Sequence, residues 1–250
     1  MKKIAIIGGS GLEDPAILKE VTEVSVETPY GAPSSSFKCG KIGGVDVVIL
    51  SRHGRDHSIP PSSVNNRANI WAIKELGCTH ILATTACGSL RLEIGRGEIV
   101  MLDQFIDFTR FRKNSFVEEF KDGQLNHPAM SDPFNWKLRH ALIENAEALD
   151  LGFHKSGTVI TIEGPRFSTR AESNMFRAWG ADVINMSTAP ECALANELEI
   201  PYAAVALSTD YDCWNVDEAP VTWEEVLKVF NENVKHVIAL LQNTIASLQK

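Results

Sequence analysis

Short apolar runs of strand length recur along this chain, and each ends abruptly in glycines, hydroxyls or charged groups. Lys3–Ile7 runs into Gly8-Gly-Ser-Gly11, Val45–Leu50 into Ser51-Arg-His-Gly-Arg-Asp-His57, and His80–Ala83 into Thr84-Thr-Ala-Cys-Gly-Ser89. Gly157–Ile162 runs into Glu163-Gly-Pro-Arg-Phe-Ser168, Asp182–Asn185 into Met186-Ser-Thr188, and Tyr202–Leu207 into Ser208-Thr-Asp-Tyr-Asp-Cys-Trp214. Buried strands of this kind belong to a sheet covered by helices. Ligands of such sheets meet the carboxyl ends of the strands, where these side chains gather.

Helical spacing fills the intervals. It predicts helices over 66–76, with Gly77 as stop, over 133–149 with Asp132 as cap, and from Pro190 to Leu198. Thr169 and Glu172 have capping-box spacing and open a helix to about Trp179. The last helix, Thr222 to about Ser247, has Val226, Phe230, Val234, Val237, Leu241 and Ile245 in one stripe. Phe37–Lys41 and Val45–Leu50 flank Gly43-Gly44 as a hairpin, and Ile99–Leu102 and Phe105–Phe108 are further strands. Strands and helices interleave without strict alternation. The expected fold is a single α/β domain over residues 1–250, a mixed twisted central sheet flanked by helices.

The net charge of −8, with no basic block, argues against nucleic acid as a partner. No apolar run reaches the length of a membrane span, and the amino-terminal stretch is too short in apolar residues for a signal peptide. Five cysteines without a C-x-x-C pair fit reduced thiols, not a disulfide framework or a zinc site. The expected location is therefore the cytoplasm.

The Gly8–Gly11 turn lacks the lysine of a P-loop and the third glycine of the dinucleotide fingerprint. Its amides and the Ser10 hydroxyl suit a single phosphate, or else the turn is merely tight. Arg52, His53, Arg55 and His57 follow a strand directly. Arg52 can clamp a phosphate bidentately, while His53 and His57 sit in a loop without the glutamate of a zinc helix. The alternative is a solvated basic loop. Phe167 offers a face for a flat ring, or core packing. Met186 offers a soft surface for a sugar, or again core. Asp210 and Asp212 can split roles, one ionised and accepting, the other held protonated as an acid, with Tyr211 and Trp214 making their surroundings apolar. Taken alone, the pair reads more readily as a solvated acidic loop. Together the loops supply an anion nest, cations, hydroxyls, an aromatic and paired carboxylates, as phosphate plus a flat polar ring would require.

Seven segments in order carry a resemblance: Ile7-Gly-Gly-Ser-Gly-Leu12, Ser51-Arg-His-Gly-Arg55, Asn69-Ile-Trp-Ala72, Thr84-Thr-Ala-Cys-Gly-Ser89, Thr161-Ile-Glu-Gly-Pro-Arg-Phe-Ser168, Ala181-Asp-Val-Ile-Asn-Met186 and Thr209-Asp-Tyr-Asp-Cys-Trp214. Over essentially its whole length the chain resembles the trimeric purine nucleoside phosphorylase family, in its branch for 5′-methylthioadenosine. The resemblance implies phosphorolysis of that nucleoside to adenine and 5-methylthioribose 1-phosphate, in a homotrimer, with inorganic phosphate as co-substrate and no cofactor or metal. Methylthioinosine, or adenosine and inosine more broadly, are its alternative substrates. It places Ser10, Arg52, His53, His57, Thr85, Ala86 and Ser187 on the phosphate. Phe167 and Ser168 fall in the base pocket and Met186 beneath the ribose. Asp210 and Asp212 read adenine, Asp210 as the acid. Val221–Leu227, including Trp223, Val226 and Leu227, matches the segment near the methylthio group, with Trp223 where a smaller aliphatic is usual. His127 matches a residue lent by a neighbouring subunit.

Overall fold

The first strand, β1 (Lys3–Gly8), carries Ile4 and Ile6 on one face and Ala5 and Ile7 on the other, all fully buried. A strand apolar on both sides needs cover on both sides. The structure is a computed structural model and describes residues 2–8, 17–120, 127–217 and 222–249, the side chain of Trp223 excepted. After β1 come β2 (Lys19–Val24), β3 (Phe37–Ile42), β4 (Val45–Ser51), α1 (Asn66–Glu75), β5 (His80–Ser89), β6 (Ile99–Met101) and β7 (Gln104–Phe108). Then follow α2 (Trp136–Ala148), β8 (Phe153–His154), β9 (Thr158–Ile162), α3 (Arg170–Ala178), β10 (Val183–Asn185), α4 (Thr188–Glu197), β11 (Tyr202–Tyr211) and α5 (Trp223–Ser247). The strands form one sheet in the order β2-β3-β4-β1-β5-β10-β9-β7, with β11 added on β5 and β6, and β8 on β6. It is mixed: β1 is parallel to β4 and β5, whereas β5 and β10 are antiparallel.

Two apolar layers follow from the period-two alternation of the strands. Ala5, Ile7, Val48 and Leu50 pack with Ile70 and Ile73 of α1 and Leu194 of α4. Ile4, Ile6, Val47 and Ile49 pack with Leu138 and Leu142 of α2 and Phe230, Val237, Leu241 and Ile245 of α5. Each of these large side chains contributes about 1.5–3 kcal/mol by leaving water. Truncating one, such as Leu241→Ala, costs about 2–5 kcal/mol. A third cluster seats Phe176 of α3 against Ile160 and Ile184.

Several expectations shift. α2 starts at Trp136, and its cap is Asn135, whose side chain accepts from Leu138 N–H, not Asp132. The Asn135 backbone N–H donates to Tyr202 O at 2.7 Å, which holds Asn135 extended and delays the first turn. α4 is interrupted at Ala189, which is non-helical (φ −104°, ψ 138°) because a residue before proline is pushed out of the α region. The capping box of Thr169 and Glu172 is present, and Thr222 caps α5. β5 and β11 run on through Thr84–Ser89 and Ser208–Tyr211, stretches whose composition reads as loop.

Candidate active site

Strand β5 organises the site. One of its edges is taken by β11 from Ile81 to Ser89. On the other, β1 pairs with His80–Ala83 and β10 with Gly88 and Ser89. Along that second edge, Thr84–Cys87 lies between these two partners with no strand neighbour of its own among the described residues, and a cleft opens there. It encloses about 830 Å³ including its open mouth and is lined by Arg52, His53, His57, Thr85, Ala86, Phe167, Ser168, Met186, Ser187, Asp210, Asp212 and Val226, among others. Residues from distant loops thus meet in one place.

One wall carries cations and hydroxyls. Arg52 is buried, and its guanidinium fork clasps Glu191, Nε to Oε2 at 2.7 Å and Nη2 to Oε1 at 2.9 Å, while Nη1 donates to Thr84 O at 2.9 Å. The bidentate grip expected for a phosphate is therefore spent on a carboxylate. Of five N–H donors, two remain for the cleft. His53 is neutral at pH 7: burial, then the charge of Arg52, lowers its pKa to about 4. It adds no charge to the wall, contrary to a count of cations in the sequence. Its Nδ1 lies 3.0 Å from Ile59 O, so Nδ1 holds the proton and Nε2 the lone pair. The His57 ring centroid lies 4.7 Å away. Thr85 and Ser187 hydroxyls are 2.9 Å apart.

The facing wall carries the carboxylates. The register of β11 on β5 slips between Ser208, opposite Cys87, and Asp210, opposite Gly88. Such a bulge re-aims side chains. Asp210 is 8% exposed, and burial, with Asp212 as a like charge nearby, raises its pKa to about 6 against the lowering effect of the hydrogen bond donated by Thr209. Asp212 accepts from Ser168 Oγ at 2.7 Å. Tyr211 and Trp214 do not line the cleft beside Asp210. Tyr211 Oη reaches Leu92 O at 3.4 Å, and Trp214 Nε1 donates to Ser89 O at 2.8 Å. Ile184, Val226 and Phe230 line the cleft instead. Phe167 stands at the mouth, 43% exposed.

A family model described as the phosphorylase superfamily matches residues 3–246. The chain belongs to the phosphorylase superfamily. The zebrafish (Danio rerio) S-methyl-5′-thioadenosine phosphorylase is 53% identical over 98% of this chain and 89% of its own length. The same enzyme of Xenopus tropicalis is 52% identical over 98% and 89%. The methylthioadenosine phosphorylase of Schistosoma mansoni, solved with adenine, superposes with a TM-score of 0.94 at 42% identity over 100% of this chain and 92% of that one.

In this phosphorylase, not all of the expected residues are accounted for by the cleft lining. Ser10 lies outside the described residues, as does the Trp223 side chain. Leu227 is half-buried near the start of α5 but does not line the cleft, and His127 packs edge-on against Phe120 at 5.5 Å, away from it. Other residues gave no signal in the sequence. Arg112 donates to Glu163 Oε1, Met186 O, Ala189 O, Ile162 O and Glu163 O, which saturates all five of its donors and ties together three segments of the rim. Glu191 and Tyr202 stand behind Arg52. Their partners are remote in sequence, so no local spacing reveals them.

Proposed function

We propose that the cleft catalyses phosphorolysis of 5′-methylthioadenosine to adenine and 5-methylthioribose 1-phosphate. The observation that carries this reading is the carboxylate pair, one member held near pKa 6 and the other held by Ser168, opposite a wall of hydroxyls and Arg52. Phosphate, seated by Arg52, His57, Thr85, Ala86, Ser187 and Ser10, attacks the anomeric carbon as the purine departs. The ribosyl group passes through an oxocarbenium-like state, and the dianion beneath it stabilises that charge. Neutral His53 accepts a hydrogen bond at Nε2 from the phosphate's remaining O–H. Asp210 gives its proton to N7 of the leaving base, and Asp212 accepts from the adenine amino group. Phe167 lies on the base and Met186 beneath the ribose. Trp223, Val226 and Leu227 enclose the 5′ end, and His127 reaches the site of a neighbouring subunit in a homotrimer. No cofactor or metal enters this scheme, and the setting is the cytoplasm.

Adenosine is a second substrate on this reading, supported by a Schistosoma mansoni neighbour described as an adenosine/methylthioadenosine phosphorylase (TM-score 0.94, 41% identity). A 6-oxopurine is disfavoured, since it would set an acceptor against the buried Asp212 carboxylate where adenine offers a donor. The test is adenine release from 5′-methylthioadenosine with and without phosphate, with adenosine and 5′-methylthioinosine alongside. Release that needs phosphate and favours the adenine nucleosides is expected. Release indifferent to phosphate would mean a hydrolase, and preference for methylthioinosine would mean that the aspartates do not select the base.

A further inference from the structure

Asn185 ends β10 and is buried, as are Thr161 on β9 and Thr85, Ser187 and Thr188 around it. Three backbone N–H groups fix the direction of the hydrogen bonds in this cluster, because a backbone N–H only donates. Those of Ser187 and Thr188 face Asn185 Oδ1 at 3.4 and 3.5 Å. That end of the amide is therefore its oxygen. The N–H of Ala189 donates to Thr161 Oγ1 at 3.2 Å, and Thr161 passes its own proton to Asn185 Oδ1 at 2.8 Å. The amide nitrogen is left facing Thr85 Oγ1 at 3.1 Å and Thr188 Oγ1 at 2.7 Å, and donates to both. Thr85 thus receives a proton from behind. Its own proton turns among Ala86 O, Ser187 Oγ, each at 2.9 Å, and whatever occupies the cleft.

We infer that Asn185 and Thr161 are positioning residues that keep the Thr85 hydroxyl proton available to a bound anion. A hydroxyl has one proton and gives it once. An acceptor behind Thr85 would draw that proton backward, and the anion would meet lone pairs. The amide nitrogen occupies the rear lone pair instead, so the hydroxyl donates forward. Thr161 holds the amide in the orientation this needs. The inference rests on the phosphorolysis reading for the identity of the anion, inorganic phosphate.

The test is steady-state kinetics with phosphate and 5′-methylthioadenosine varied separately, on the full chain. Three variants are compared: Asn185→Asp, which makes the group behind Thr85 an acceptor, Thr161→Val, which removes the proton holding Oδ1 without changing any charge, and Thr161→Ser, which restores it. Adenine binding, measured by calorimetry, reports whether the rest of the cleft is intact. The first two variants should raise the KM for phosphate by about tenfold, the worth of one hydrogen bond to a charged group. The nucleoside KM and adenine affinity should hold within about twofold, the scatter of an interaction left untouched, and Thr161→Ser should return the phosphate KM to its original value. Thr161→Val is isosteric, so it decides the matter even if Asn185→Asp does not fold. A phosphate KM unmoved in the variants, a parallel rise in both KM values, or a Thr161→Ser protein that behaves like Thr161→Val would overturn the inference alone. A parent enzyme indifferent to phosphate would overturn the phosphorolysis reading, and the inference with it.

Discussion

Gly88 lies so close to Asp210 that a methyl group on it would sit 2.9 Å from Asp210 Oδ2, and 3.1 Å from Ile184 Cγ2 on the opposite side. The glycine is needed here for close approach, not for a left-handed backbone. Gly88→Ala should push the carboxyl off its position while the sheet survives. We expect a stability loss of about 1–3 kcal/mol, as for overpacking. The kcat for nucleoside cleavage should fall by about a hundredfold, as a misplacement near 1 Å can do. Thermal melts and kcat on one preparation check it. Full activity with a lowered Tm would contradict the positional argument.

Asp210 carries a cost at neutral pH. Its pKa of about 6 against an ordinary 3.8 means the folded state binds the proton more tightly. Its burial penalty is thus present above pH 6 and relieved as pH falls toward 3.8, by about 3 kcal/mol at most. Asp210→Asn should therefore raise the Tm at pH 8 while lowering kcat by at least about a hundredfold, the usual worth of a general acid. The parent's activity should decline above pH 6, further up once the purine is bound. His53 runs the other way: with its pKa lowered from 6.5 to about 4, it loses stability for the fold as pH falls between those values. The two trends oppose each other in the parent. Melts of Asp210→Asn should therefore fall more steeply between pH 6.5 and 4 than the parent's, and parallel curves would refute the assignment.

Behind the cationic wall, Tyr202 Oη donates to Glu191 Oε1 at 2.7 Å, and Glu191 is fully buried. Burial, then the charge of Glu191, pushes the Tyr202 phenol well above its usual pKa and keeps it a donor. Glu191→Gln leaves the buried Arg52 charge uncompensated and should cost about 3–5 kcal/mol. Tyr202→Phe leaves the ion pair and should cost about 1–2 kcal/mol. Denaturant melts should rank them in that order, and the reverse order would mean that the ion pair is not what holds Arg52.

Arg112 has a side chain only 3% exposed and no donor left for a ligand. Arg112→Met strips partners from carbonyls of the rim and should lower both Tm and kcat. Arg112→Lys keeps the charge but has three donors for five acceptors, and should fall between. After burial and the charges nearer to it, Arg112 also helps to keep His53 neutral. In Arg112→Met the His53 pKa should move up from about 4, which NMR titration of the ring would detect. An unmoved His53 would mean that Arg112 acts through its hydrogen bonds alone.

The sheet was legible where side chains pay for burial, as in β1, β4 and the front half of β11. It was illegible in β2, which is charged and almost wholly exposed. Backbone pairing with β3 holds that strand, and pairing of that kind has no side-chain signature. The carboxylates, Phe167 and the hydroxyls were legible because they cluster at strand ends. The electrostatics were not. Arg52 reads as a free cation until Glu191, 139 residues away, takes its fork. His53 reads as titratable near neutrality until burial suppresses it. Arg112 stands in a polar stretch without regular structure, and its partners are mostly main-chain oxygens, which no residue pattern announces.

Thr85 on the anion side and Gly88, which seats Asp210 on the base side, hang from the same strand. Three steps along a strand span about 10 Å, and β5 is held by backbone pairing on both sides of the opening. On the proposed reading, the separation between attacking anion and proton donor is consequently a fixed gauge, set by covalent pitch. A nucleoside is sized against that gauge between its anomeric carbon and its base. On that reading, latitude in substrate length belongs to the 5′ end, enclosed by Val226 at the start of α5.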